Sequence, residues 1–233
     1  MDFEAGEILY FNKPLRQTSF YLVKKVRNAI CRKIGVKKLK VGHAGTLDPL
    51  ATGVLIVCTG KKTKCIDEFQ FQTKEYVATL QLGATTPSFD LEKPIDATYE
   101  TEHITYPLVE ETLKKFVGRI EQVPPTFSAV KVDGKRAYEM ARKGEEVELK
   151  PKILVIDEIE ILNFDEQDKI LRIRVVCSKG TYIRALARDI GEALHSGAHL
   201  IALERTRIGD VRLSDCMELD DFLQKMESED VNN

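Results

Sequence analysis

The stretch Gly42-His43-Ala44-Gly45-Thr46-Leu47-Asp48-Pro49-Leu50-Ala51-Thr52-Gly53 separates a basic segment from an apolar run. Its three glycines and one proline predict a shaped loop instead of a core element. An acid in such a loop is presented rather than buried, so Asp48 is a candidate functional residue. From the physics of this stretch alone, a turn or helix-cap role before Pro49 is the stronger interpretation of Asp48.

Strand and helix patterns surround this loop. Residues 8–11 predict a short strand, and a helix is predicted to follow because apolar residues recur every three or four positions. The apolar residues that we expect to pack in the core are Phe20, Val23, Val26, Ile30 and Ile34. After the loop, the continuous apolar run 54–58 predicts a buried strand, and the alternation over 76–82 predicts a half-buried one.

The second half of the chain continues this mixture of helices and strands. A helix is predicted around Val109, Leu113, Phe116 and Val117, and residues 131–135 carry a hairpin turn signal. Strands over 153–164 and 170–178 are predicted to pair across a polar turn, and helices are predicted over 183–194 and 219–226. The fold class is therefore α+β: a single domain with a mixed, largely antiparallel sheet flanked by helices.

Composition limits where this chain works. No apolar run approaches the roughly 18–20 residues that span a bilayer, and the N-terminus lacks the basic start and apolar core of a signal peptide. The five cysteines are odd in number, scattered and mostly set in apolar stretches. They predict reduced, buried thiols and a cytoplasmic protein.

Several familiar site motifs are absent or incomplete. The sequence has no C-x-x-C pair, and only His195 and His199 have a helical metal-ligand spacing, which Gly197 weakens. We therefore expect no metal. The segment Gly60-Lys61-Lys62-Thr63 does not fit a phosphate loop, because six residues separate Gly53 from Gly60 and Lys62 intervenes.

Charge is unevenly distributed along the chain. The net charge is −2, yet residues 13–40 hold ten Lys or Arg and no Asp or Glu, whereas residues 215–230 hold seven acids and one base. A solvated basic face is the ordinary explanation of such a run. The alternative is a surface that binds a polyanion, which we favour because basic residues accompany the other candidate segments too.

The loop over residues 42–53 resembles the aspartate motif of the bacterial TruB-type tRNA pseudouridine synthases, which form pseudouridine at position 55 in the T-arm. Other segments match the family in the same order along the chain, so the resemblance covers nearly all of it. They are Asn12-Lys13-Pro14, Lys74-Glu75-Tyr76, residues 123–131 (VPPTFSAVK), residues 177–184 (CSKGTYIR), residues 197–200 (GAHL) through Leu203, and Arg205-Thr206-Arg207.

The resemblance implies a pseudouridine synthase fold and an isomerisation that needs no cofactor. The bond from ribose C1′ to uracil N1 breaks, the base turns, and C1′ joins C5. By resemblance Asp48 is the catalytic carboxylate, because a carboxylate attacks an electrophilic carbon and then leaves again. Whether Asp48 attacks C1′, attacks C6 or first removes a ribose proton stays open.

The resemblance also implies a pocket for a flipped-out base. Tyr76 would stack on the base and take part in removing the C5 proton, His43 would contact the substrate, and Arg184 would pair with Asp48. Tyr182 and Leu203 match further pocket-lining positions. Without the resemblance, a core tyrosine in a strand is the better explanation of Tyr76, and His43 is explained as a loop histidine. Tyr182 and Leu203 could equally be core residues. Candidates for phosphate contact are Lys13, Lys24, Lys25 and Lys179.

Two departures from the family pattern are visible. Arg16 stands where the family usually has a glycine, which puts the local turn in doubt. Many relatives continue into a C-terminal RNA-binding domain of the PUA type, for which this chain is too short. We therefore expect residues 1–233 to form one catalytic domain that binds RNA without a separate C-terminal domain.

The expected partner is the T-arm stem-loop of tRNA, bound by a monomer that needs no membrane and no obligate protein partner. One alternative is a non-catalytic RNA-binding module, against which the joint presence of Asp48, Tyr76 and Arg184 argues. The other alternative is the same chemistry on a different structured RNA.

Overall fold

The computed structural model describes residues 1–128, 131–132, 135–136, 140 and 149–228. Its helices and strands follow in this order: β1 (Ile8–Lys13), α1 (Ser19–Lys33), β2 (Val41–His43), β3 (Ala51–Thr59), α2 (Ile66–Phe71), β4 (Lys74–Leu82), β5 (Ala84–Thr85), β6 (Ala97–Thr98), α3 (Tyr106–Lys114), β7 (Gly118–Gln122), β8 (Lys131–Val132), β9 (Lys135–Arg136), β10 (Lys152–Asp165), β11 (Ile170–Cys177), α4 (Ile183–Ala193), β12 (Ala198–Ile208), β13 (Val211–Arg212), β14 (Met217–Glu218) and α5 (Leu219–Ser228). Short 3-10 helices cover Gly60–Cys65 and Leu213–Asp215.

The chain divides into two compact units. The first contains Met1–Tyr76 and Leu203–Asn233, and the second contains Val77–Ala202. The chain passes between the units inside strands β4 and β12, each of which begins in one unit and ends in the other. Because the crossings lie within strands instead of linkers, the two units form one α+β domain, as predicted.

The first unit contains a mixed sheet with the strand order β14-β1-β3-β12. Strand β1 runs antiparallel to β3, with Ile8 opposite Cys58, and parallel to β14. Strand β12 runs parallel to β3, with Leu203 opposite Ala51. Strand β2 pairs antiparallel with the far end of β3, and β13 pairs with β12.

The core of the first unit lies between this sheet and helices α1 and α5. Phe11 of β1 meets Phe222 of α5 edge to face, with 5.3 Å between ring centroids. The buried face of α1 consists of Ser19, Leu22, Val23, Val26, Ala29 and Ile30. Thr18 caps this helix by accepting a hydrogen bond from the Tyr21 N–H at 3.0 Å.

Phe20 departs from the predicted packing of α1. Its side chain is 69% exposed, so its assignment to the core is wrong, whereas Ile34 is partly buried and packs against the core as predicted. The reason is geometric. An α-helix has 3.6 residues per turn, so residues spaced by three do not all stay on one face. Phe20 lies about a third of a turn from the centre of the buried face. Leu22 fills the core instead.

The second unit contains strands in the order β4-β11-β10-β7, and β10 pairs antiparallel with both β11 and β7. Strands β10 and β11 pair from Ile156 opposite Cys177 to Asp165 opposite Ile170, which confirms the predicted hairpin. Strands β8 and β9 pair with each other, and the predicted turn between them, at residues 133–134, lies outside the described residues. The prediction of a mixed, largely antiparallel sheet flanked by helices is confirmed.

Two smaller findings bear on the sequence-based expectations. Helix α3 ends at Lys114, so Phe116 and Val117 lie beyond it, and Val117 is exposed instead of packed. All five cysteines are free thiols; Cys58 and Cys177 are buried and the other three are half-buried.

Within the described ranges, no helix is both long and apolar enough to cross a bilayer.

Candidate active site

The loop that carries Asp48 is closed at its base by the pairing of β2 with β3, which places His43 opposite Val57. It ends at Gly53, whose φ is +104° and whose backbone lies against that of Arg205 on the parallel strand β12. A Cβ at Gly53 would collide with the Arg205 backbone. Only glycine therefore lets the loop rejoin the sheet at this point.

Two buried side chains fix the backbone of this loop from opposite ends. The Ser19 hydroxyl accepts from the Leu47 N–H at 2.9 Å and donates to the Leu47 carbonyl at 3.1 Å. Arg205 donates to the carbonyls of Gly45 at 3.0 Å and Val54 at 2.8 Å. The peptide next to Asp48 is thus held in one place. Sequence analysis missed both roles, although an arginine in a buried strand is a signal that could have been used.

Asp48 itself is half-buried and begins a turn. Its carbonyl accepts from the Ala51 N–H at 3.0 Å, with Pro49 at the second position of the turn. The Pro49 carbonyl accepts from the Arg16 N–H at 2.7 Å. Arg16 has a φ of +64°, a conformation that favours glycine. Arg16 therefore adopts the turn conformation of the glycine that the family usually has at this position. The turn interpretation of the Asp48 backbone is correct.

Lys13 supplies positive charge close to Asp48. Its side chain is fully buried, and its ammonium donates to the carbonyls of Pro14 at 2.8 Å and Gln17 at 2.7 Å. Burial lowers the Lys13 pKa to about 8; the Asp48 carboxylate raises it, and the Arg205 charge lowers it. The Lys13 ammonium is therefore held inside the protein with its charge near Asp48, contrary to the expectation that it contacts an RNA phosphate.

His43 stands at the end of β2, half-buried. Burial lowers its pKa, the Arg205 charge lowers it further, and a hydrogen bond with the Gly45 backbone opposes both effects. The imidazole is therefore neutral near neutral pH. Its Nδ1 is buried and has no hydrogen-bond partner within the described part of the chain.

Tyr76 and Leu203 are placed by β4 and β12. Leu203 is half-buried and lies opposite Ala51, three residues beyond Asp48, so the register brings it to the end of the loop. Tyr76 is buried on β4. Its neighbour Glu75 accepts from the Thr206 hydroxyl at 2.9 Å and pairs with Arg207 at 3.6 Å, which fixes the start of β4 beside β12.

Arg184 and Tyr182 lie in the second unit, at the start of α4. The Arg184 guanidinium is buried and donates to the carbonyls of Ser88 at 3.1 Å and Phe127 at 3.0 Å; Asp90 lies 3.7 Å away. Asp90 is a buried carboxylate that sequence analysis missed, since no spacing links it to Arg184. The pairing of Arg184 with Asp48 stays a prediction.

The start of α4 is held by a side-chain amide. Gln122 accepts from the Tyr182 N–H at 2.9 Å and donates to the Tyr182 carbonyl at 3.2 Å, so the amide imitates a backbone partner. Gln122 is itself fully buried. The position of Tyr182, and through it that of the first turn of α4, is therefore well defined.

The two histidines with metal-ligand spacing do not share a helix. His195 follows α4 with a φ of +52°, and His199 lies in β12, where its Nδ1 is 2.9 Å from the Ala84 carbonyl. Among the residues that the structure describes, no three His, Cys, Asp or Glu side chains form a cluster that could hold a metal ion. Lys24, Lys25 and Lys179 are exposed at the surface.

Sequence models of known protein families match nearly the whole chain. One described as TruB family pseudouridylate synthase (N terminal domain) matches residues 32–183, and one described as tRNA pseudouridylate synthase B C-terminal domain matches residues 184–232. The chain belongs to the TruB family of pseudouridylate synthases. It is therefore an enzyme, an isomerase, as the resemblance implied.

Two relatives show how close this membership is. The tRNA pseudouridine synthase B of Phocaeicola vulgatus is 70% identical over 236 residues, which cover 100% of both chains. That of Parabacteroides distasonis is 73% identical over 228 residues, 97% of this chain and 96% of the relative.

Two solved structures have a similar fold. A chain in the crystal structure of a Cbf5-Nop10-Gar1 complex superimposes with a TM-score of 0.72 at 28% identity. The match covers 99% of this chain but 58% of the other, so this chain spans a little over half of that chain's length. A chain in the structure of an H/ACA RNP bound to a substrate RNA containing 2′-deoxyuridine gives a TM-score of 0.69 at 26% identity.

Proposed function

We propose that this TruB family enzyme converts uridine to pseudouridine at position 55, in the T-arm of tRNA, with Asp48 as the catalytic carboxylate. The observation that carries the proposal is the fixed loop: Ser19 and Arg205 hold the backbone on both sides of Asp48, and Lys13 places a buried positive charge near it. The relatives' shared name, tRNA pseudouridine synthase B, supports tRNA as the substrate.

The charge around Asp48 suits a carboxylate that must form and release a bond. The reaction breaks the bond from C1′ to N1 and forms one from C1′ to C5; C5 loses its proton and N1 gains one, so no electrons are transferred to another molecule. The Asp48 carboxylate, with the Lys13 charge near it, is a competent nucleophile toward C1′ or C6, and equally a base for a ribose proton. All three routes stay open.

The same unit offers groups for a base that leaves its stack. Tyr76 would give an aromatic face and Leu203 an apolar contact at the end of the loop. His43, neutral and with a buried Nδ1 lacking a partner in the described chain, would hydrogen-bond the substrate. By the resemblance, two residues of the second unit also belong to the site: Tyr182 would line the pocket, and Arg184 would pair with Asp48. We place the enzyme in the cytoplasm as a monomer that binds the T-arm stem-loop.

The decisive experiment replaces Asp48 with asparagine, which keeps the shape of the side chain and removes its charge. Tritium release from C5 of labelled uridine in a T-arm stem-loop measures isomerisation. We expect Asp48→Asn to abolish release while its affinity for the stem-loop stays within about tenfold of wild type, because phosphate and shape contacts supply most of the affinity.

The control is Asp67→Asn, at an exposed acid in α2 of the same unit, which should behave as wild type. Turnover by Asp48→Asn would refute the role of Asp48. A stem-loop with cytidine at position 55 should release no tritium from its remaining labelled uridines; release from another site would redirect the proposal to a different RNA position.

A further inference from the structure

The first turn of α1 exposes two large aromatic side chains. Phe20 is 69% exposed and Tyr21 is 41% exposed. Burying a phenylalanine side chain typically stabilises a fold by about 1.5–3 kcal/mol, so leaving one on the surface forgoes stability that a core position would have given. The exposed Phe20 ring is therefore free to contact a binding partner instead of the core of this chain.

Each aromatic residue has a lysine one turn further along the helix. Lys24 follows Phe20 and Lys25 follows Tyr21 at a spacing of four residues, which makes each pair neighbours on the helix surface. Both lysines are exposed, and the Lys25 ammonium lies 5.4 Å from the centre of the Tyr21 ring. We call these four residues, Phe20, Tyr21, Lys24 and Lys25, the aromatic-lysine stripe.

The stripe is linked to the Asp48 loop by hydrogen bonds. Ser19, which precedes Phe20, makes both hydrogen bonds to Leu47, the residue before Asp48. Thr18 caps the same turn through the Tyr21 N–H. The aromatic side chains thus follow directly on a residue that is hydrogen-bonded to the catalytic loop, so the stripe can act on the same bound molecule.

The electrostatics of the region select a polyanion. The first turn of α1 contains no acid, and its N-terminus adds the positive end of the helix dipole. Residues 13–40, which include the whole stripe, hold ten basic side chains and no acidic one. Such a surface would repel a second copy of its own positive face, whereas aromatic rings interleaved with lysines are the combination that binds unpaired nucleotides.

We propose that Phe20, assisted by Tyr21, stacks on an unpaired base of the RNA substrate near the target uridine, while Lys24 and Lys25 contact the adjoining phosphates. The inference rests on the proposed function for the identity of the RNA. It adds a recognition surface outside the catalytic loop, one that holds the loop nucleotides of the T-arm while the target base is extruded.

The test compares Phe20 with a matched exposed phenylalanine. Phe71, at the end of α2 in the same unit, is 71% exposed. Phe20→Ala should bind the T-arm stem-loop at least about fivefold more weakly than wild type, the lower end of the effect of losing one base stack. Phe71→Ala should bind as wild type does. A fluorescent adenine analogue placed in turn at each loop position should be quenched at one position by wild type and not by Phe20→Ala.

Two further variants separate stacking from simple apolar contact. Phe20→Trp should keep the affinity, and Phe20→Leu should lose it, because leucine has a similar apolar bulk but no aromatic face. In plots of log affinity against log salt, Phe20→Ala should give a parallel line, whereas Lys24→Ala should reduce the slope by about 0.7–0.9, the effect of one phosphate contact.

Equal affinities of Phe20→Ala and Phe71→Ala would overturn the proposal, and so would full binding by Phe20→Leu. Sedimentation of wild type as a dimer that Phe20→Ala dissociates, with unchanged RNA affinity, would also overturn it in favour of self-association. Tritium release by wild type distinguishes failure of this proposal from failure of the proposed function. An active wild type whose Phe20→Ala variant binds RNA normally would refute only the role of the aromatic-lysine stripe. An inactive wild type that binds RNA through Phe20 would refute the proposed function alone.

Discussion

The guanidinium of Arg184 lies 3.7 Å from the carboxylate of Asp90, and both side chains are more than nine-tenths buried. The Asp90 backbone is fixed in turn, since its carbonyl accepts from the Thr86 hydroxyl at 2.6 Å. A buried ion pair costs desolvation on both sides, so its presence argues for a role in positioning Arg184 more than for stability.

Asp90→Asn should destabilise the protein, because it leaves the buried Arg184 cation without this carboxylate. We expect a loss of about 3 kcal/mol in the free energy of unfolding, measured with urea. The control Asp96→Asn changes an exposed acid of the same unit and should cost less than about 0.5 kcal/mol. Equal unfolding midpoints for the two variants would show that Asp90 does not compensate Arg184.

Lys13 should titrate near pH 8, well below an exposed lysine, because burial disfavours its charged form. NMR of isotope-labelled lysine side chains measures this pKa directly, and the resonance that disappears in Lys13→Arg identifies the residue. Asp48→Asn should lower the Lys13 pKa further, since it removes the carboxylate that raises it. An unchanged Lys13 pKa in Asp48→Asn would mean that the two groups are not coupled.

Tyr76→Phe removes a hydroxyl and keeps the aromatic face. If the hydroxyl takes part in removing the C5 proton, as the resemblance implies, single-turnover tritium release should fall about 100-fold or more, with binding retained. Thermal unfolding should be close to that of wild type, which would exclude a packing defect. A near-normal rate would restrict Tyr76 to stacking.

Gly53→Ala should be among the most damaging glycine substitutions, because the new Cβ meets the Arg205 backbone where β3 and β12 pair. We expect a loss of more than about 2 kcal/mol. Gly35→Ala provides the control: Gly35 also has a positive φ, +70°, but a Cβ there has open space around it. It should lose only about 1 kcal/mol, from backbone strain. Similar losses of stability in the two variants would show that backbone strain, and not the collision with Arg205, accounts for the effect of Gly53→Ala.

Local patterns in the sequence predicted most of the helices and strands. The alternation over β4 and the apolar run of β3 are confirmed, because the side chains of a strand point alternately to two faces whatever lies beyond them. The same local reasoning failed for Phe20, since periodicity gives the helix but fixes its rotation only approximately.

The sequence by itself determined the family, the loop that carries Asp48 and the α+β class, because motifs, turn residues and periodicity are properties of neighbouring residues. Only the tertiary structure decided that Lys13 is fully buried, that Ser19 and Arg205 hold the Asp48 loop, and that Arg184 meets Asp90. Each of these contacts joins residues distant in the chain, and burial of a charge depends on the segments that close over it. No local pattern encodes such a contact.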